Sequence, residues 1–122
     1  MLKSIFGALH DHLAPLNIPV YLEDCVPEGA ALPYITADIR PPLSVHNGGS
    51  LTLSCWCQGD TANAQRLSQA DLLLTRLPAR GCPLAMDAGS VILRQEGTAV
   101  CIRKSALQGV KMTWKLQFFP AA

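Results

Sequence analysis

Two segments with strict two-residue alternation constrain this chain more than anything else in it. Leu51, Leu53, Cys55 and Cys57 alternate with Thr52, Ser54, Trp56 and Gln58. Val110, Met112, Trp114, Leu116 and Phe118 alternate with Lys111, Thr113, Lys115 and Gln117. Successive side chains of a strand point to opposite faces, so each segment predicts a strand with one apolar and one polar side. A sheet built of such strands has one face to cover and a second that meets water or a partner.

The cover is legible in two amphipathic segments. Leu2, Ile5, Phe6, Leu9 and Leu13 recur at helical spacing, and Pro15 stops that helix. Gly59-Asp60-Thr61 breaks the first alternating strand and offers a cap for a helix from about Ala62 to Leu77, closed by Pro78 and Gly81. Ala64, Leu67, Ala70, Leu74 and Leu77 form its apolar stripe. Shorter strands are predicted at Val20–Leu22 and Leu32–Ile39, with Pro27-Glu28-Gly29 as turn chemistry between them. Ser90–Gln95 and Ala99–Arg103 are predicted as two strands joined by a turn at Glu96-Gly97-Thr98, with a second turn at Leu107-Gln108-Gly109. The predicted order is α-β-β-β-α-β-β-β: an α+β fold, an antiparallel sheet with two main helices on one face, forming one domain over residues 1–122.

Composition excludes several classes. Apolar residues make up 49% of the 122 and charged residues 16%, which is no composition for a disordered chain. The net charge is +1, without the basic excess of a nucleic-acid-binding module. No apolar run approaches the roughly 20 residues of a membrane-spanning helix. The first residues lack the apolar stretch of a secretory signal, and the odd count of cysteines, five, points to free thiols in a reducing compartment.

The residues that could carry chemistry are scattered. Cys55 and Cys57 share one strand face, where buried thiols act as small apolar groups. His10 and His12 are two apart on a helix and diverge, and His46 stands alone in a Pro/Gly-rich loop, so no metal or cofactor site is predicted. Ser44 and His46 have no carboxylate nearby in sequence, and Glu23-Asp24 are neighbours that diverge in extended chain. No catalytic residue is assigned and no enzyme activity is expected.

An interface is the better reading. If the apolar residues of the Leu51–Gln58 strand face the core, Trp56 faces away, either as an anchor for a partner or beneath a loop of its own chain. Lys111 and Lys115, with Arg103 and Lys104 nearby, form either a basic stripe toward a partner or an ordinary solvated face. Candidate interface residues are Arg40, Pro41, Pro42, His46 and Asn47 in the loop, and Trp56, Lys111 and Lys115 on the strands.

The segment Cys25-Val26-Pro27-Glu28-Gly29-Ala30-Ala31-Leu32-Pro33-Tyr34-Ile35 resembles the tail-terminator and tail-to-head joining proteins of long-tailed bacteriophages, prophages and gene transfer agents. Val20-Tyr21 before it, the Gly59-Asp60-Thr61 helix start, Leu93-Arg94-Gln95-Glu96-Gly97 and the closing strand extend the resemblance over nearly the whole chain. The five cysteines and the Pro42–Gly49 loop lie outside it. The resemblance implies a structural virion protein that caps the tail tube at its head-proximal end and meets the head connector. It implies a homo-oligomeric ring, a hexamer in the family, assembled in the host cytoplasm. DNA would pass through such a ring without sequence-specific binding, and neither cofactor nor membrane is involved. The alternatives are another phage structural part, such as a head-completion or baseplate component, or a small ligand-binding domain or enzyme.

Overall fold

The structure, a computed structural model, describes residues 2–40, 48–58, 63–86 and 89–120. Helix α1 (Leu2–Leu13) runs into a 3-10 turn at Ala14–Leu16 that carries Pro15. Asn17 ends it in the left-handed conformation, its N–H donating to the Ala14 carbonyl at 3.0 Å. Strands β1 (Val20–Leu22), β2 (Tyr34–Arg40) and β3 (Gly49–Gln58) follow, then helix α2 (Asn63–Arg76), then β4 (Cys82–Met86), β5 (Gly89–Lys104) and β6 (Leu107–Pro120). They form one six-stranded sheet in the order β1-β2-β3-β6-β5-β4.

The two alternating segments, β3 and β6, pair antiparallel at the centre of the sheet, where one apolar side each is worth most to the fold. Their inward residues Leu51, Leu53, Cys55, Val110, Met112, Trp114 and Leu116 join Ile35, Ala37 and Ile39 of β2 and Val91 and Leu93 of β5 in one buried cluster. Ile5, Leu9 and Leu13 of α1, Ala70 and Leu73 of α2, and Leu77 just past the end of α2 belong to the same cluster. Where the helices end they are tied together. Arg76 Nε–H donates to the His12 carbonyl at 3.1 Å, and the His12 ring Nε2–H donates in return to the Arg76 carbonyl. Each side chain satisfies a carbonyl that its neighbour's helix end leaves without a partner.

The turn expected at Leu107-Gln108-Gly109 falls earlier, at Ser105-Ala106, and Leu107-Gln108-Gly109 open β6, paired with both β3 and β5. Three further expectations need correction. The sheet is mixed, because β1 runs parallel to β2, pairing Val20 with Ile35 and Leu22 with Ala37. Parallel neighbours cannot be joined by a tight turn. Residues 23–33 instead carry the chain back along the strand, with Gly29 at φ +76° and a turn bond from Ala30 N–H to the Pro27 carbonyl. Second, three strands follow α2, but not the three expected. Cys82–Met86 forms an edge strand, a position that tolerates Pro83. Third, Glu96-Gly97-Thr98 is no turn between strands. β5 continues through it, with Glu96 opposite Thr113 and Val100 opposite Lys111, so β5 advances four residues where β6 advances two. Gly97, at φ +73°, takes up the bulge.

Candidate interface on the outer sheet face

Register assigns the residues of the uncovered face to rows across the strands. At one end Tyr34, Trp56, Gly109 and Ile102 stand side by side on β2, β3, β6 and β5. The next row is Thr36, Ser54, Lys111 and Val100, followed by Asp38, Thr52, Thr113 and Glu96. The last is Arg40, Ser50, Lys115 and Arg94. The middle is knit by hydroxyls, with Thr52 and Thr113 3.4 Å apart between their Oγ1 atoms.

Trp56 faces away from the helices, and its own chain covers it. The residue is 8% exposed, and its Nε1–H donates to Thr36 Oγ1 at 3.0 Å, itself 5% exposed. Gly109 makes the space: a Cβ there would stand 3.1 Å from Trp56 Cε3 and 2.5 Å from the Cys55 carbonyl oxygen. Tyr34 flanks the indole in the register and packs edge-on against Tyr21, ring centroids 5.8 Å apart. Above the row lies a cleft of about 180 Å³, walled by Glu23 and Val26 from the crossover and by Lys104, Ser105 and Leu107 from the β5–β6 turn. Of the two readings of Trp56, the structure therefore gives the covered one.

The other candidates separate. Arg40 and Lys115 fall in the same row, together with Arg94, which the sequence did not single out. Lys115 and Arg94 stand directly opposite, and among the described residues neither has a carboxylate within ion-pair distance. Lys111 shares their face two rows away, exposed between Ser54 and Val100. Arg103 and Lys104 fall on opposite faces by alternation, so they do not extend one stripe. Pro41, Pro42, His46 and Asn47 lie outside the described residues.

Charge is segregated across this sheet. Residues 20–40, forming β1, β2 and their crossover, hold Glu23, Asp24, Glu28 and Asp38 against Arg40, a net of −3. Residues 89–120, forming β5 and β6, hold Arg94, Arg103, Lys104, Lys111 and Lys115 against Glu96, a net of +4. β3, between them in the sheet, has no charged residue. All of these side chains are exposed except the half-buried Asp38. The near-zero net charge of the chain thus conceals an acidic flank and a basic flank. The signal was present in the sequence, but only the strand order shows that the two groups lie on opposite sides of a neutral strand.

The thiols on the covered side are engaged within the fold, whereas the buried Trp114 Nε1–H has no hydrogen-bond partner among the described residues. The Cys55 and Cys57 thiols both donate to Gln69 Oε1, at 3.4 and 2.7 Å. Burial pushes the Cys55 thiol up to about 12, and the neighbouring Cys57 adds to the rise. Burial also raises the Cys82 thiol, against the opposing pull of the Arg76 charge. Cys82 lies beside the His12 ring at 3.5 Å. Buried thiols held protonated are poor nucleophiles and poor metal ligands. Cys55 and Cys57 are buried as their strand position predicts, Cys82 is buried with them, and Cys25 and Cys101 are exposed. Among the described residues no group of His, Cys, Asp and Glu could hold a metal ion, and no helix is long and apolar enough to cross a membrane.

The class these features define is an α+β fold, a mixed sheet covered by helices on one face and carrying segregated charge. The sequence matches no family model and no curated protein. Among solved structures the chain is similar to one from the virion of a native gene transfer agent particle, with a TM-score of 0.63 and 15% sequence identity. The likeness covers 95% of this chain and 92% of that one, and at such identity it is a likeness of fold.

Proposed function

We propose that this chain is a structural protein of a phage-like virion, acting in completion of the tail. In this reading it closes the head-proximal end of the tail tube as a ring and offers a face to the head connector. The observation that carries the reading is the fold shared with a gene transfer agent virion chain over nearly the full length of both. The resemblance of Pro27 through Tyr34 to tail-completion proteins supports the tail position and the ring. The role is one of assembly rather than catalysis, and it suits a surface whose distinctive feature is segregated charge.

The test is association with purified tail tubes, with the bound protein located by electron microscopy. Density at the head-proximal tip supports tail completion. Density at the head vertex or the baseplate moves the chain to another virion part, and no binding to any of them removes the virion reading.

A further inference from the structure

We infer that the two charged flanks of the sheet are the two halves of one contact between copies of this chain, the acidic β1–β2 flank of one copy meeting the basic β6–β5 flank of the next. The inference deepens the ring reading and rests on it for the closure of the assembly.

Complementarity is the first argument. Glu23, Asp24 and Glu28 stand exposed on one side of the uncharged β3, and Arg94, Lys111 and Lys115 stand exposed on the other. Strands are about 4.8 Å apart, so Lys111 and Lys115 on β6 and Arg94 on β5 lie two and three places from β2, roughly 10 and 14 Å across the sheet. Those spans exceed the Debye length of about 8 Å at physiological salt, so these three cations are largely screened from the acidic flank; Lys104, which shares a cleft with Glu23, is not counted among them. Among the described residues none of these side chains has an ion-pair partner. The second argument is the direct opposition of Arg94 and Lys115, a like-charge cross-strand pair that is unfavourable until an anion approaches. Val100, 51% exposed beside Lys111 in the register, supplies an apolar contact within the basic flank.

A second copy suits both patches because each copy carries both. The patches differ, so the contact is heterologous: it repeats from copy to copy and generates a ring where the rotation closes. Small ions would neutralise either flank singly, but only another copy engages both.

The experiment uses two charge-reversed variants of the full chain. Arg94→Glu with Lys111→Glu and Lys115→Glu takes the basic flank from a net of +4 to −2, so both flanks are acidic. Glu23→Lys with Asp24→Lys makes both basic. Each alone should associate at least about tenfold more weakly than the unaltered chain at low salt. Mixed in equal amounts they should associate again, since every contact in an alternating assembly is then complementary, and added salt should dissolve the mixture. Circular dichroism and thermal melts check that these exposed substitutions leave the fold intact. Zero-length carbodiimide coupling of isotope-mixed copies gives a second readout, an intermolecular link from Lys111 or Lys115 to Glu23, Asp24 or Glu28. If each variant alone still forms the assembly of the unaltered chain, the flank contact is wrong and the ring reading stands. If the mixture associates no better than its components, the contact is overturned as well.

Discussion

The indole of Trp56 occupies the place on the outer sheet face that Gly109, directly opposite it on β6, leaves open. The two strands approach so closely there that a methyl group at position 109 would meet the Cys55 carbonyl oxygen at 2.5 Å. The ring cannot easily retreat, because its Nε1–H is committed to Thr36. Gly109→Ala should therefore cost about 1–3 kcal/mol of stability, as overpacking does elsewhere. Denaturant unfolding measures it, and an unchanged midpoint would show that the central ladder yields freely.

The covered position of Trp56 sets a second expectation. Trp56→Ala should destabilise the isolated chain by about 3–5 kcal/mol, the range for truncating a buried aromatic. A variant with an unaltered melting temperature but lost association would return Trp56 to the role of an anchor for a partner.

Helix ends give a third. Arg76→Met removes the donor to the His12 carbonyl while keeping most of the aliphatic stem. The expected loss is about 1 kcal/mol, the net worth of one partly buried hydrogen bond. Amide exchange should quicken first at the carboxyl ends of α1 and α2. Uniform protection across the variant would show that the tie does not hold these ends.

Cys55 makes stability depend on alkaline pH. The folded chain raises this thiol from 9.0 to about 12, so the folded state binds the proton more tightly than the unfolded chain. That contribution is fully present below pH 9.0 and is lost as pH rises toward about 12. The slope is about 1.4 kcal/mol per pH unit for one group. Cys55→Ala should lower stability at neutral pH and flatten the decline above 9.0, which unfolding midpoints over that range would record. Parallel curves for the two chains would mean that the thiol titrates alike in both states.

What the sequence disclosed, it disclosed through burial on one side of a strand. β3 and β6 were legible because their inward residues are all apolar, and α1 because Ile5, Leu9 and Leu13 face one core. β4 was hidden: a five-residue edge strand containing Pro83 carries no alternation to detect. The bulge at Gly97 has the composition of a turn, and only the continuing ladder with β6 shows that the chain keeps its direction. The parallel course of β1 depends on where an eleven-residue crossover returns the chain, which no local pattern encodes. Alternation placed Trp56 on the outer face and could not show the crossover that covers it. The row of Arg40, Lys115 and Arg94 joins residues far apart in sequence, so it emerges only with the register.

The ring itself is the central claim, and native mass over a range of concentrations, with negative-stain images of the largest species, tests it most directly. The account predicts discrete closed rings with an open centre, in free solution or on the tips of purified tail tubes. A chain that stays monomeric at every concentration and binds no tube would contradict it.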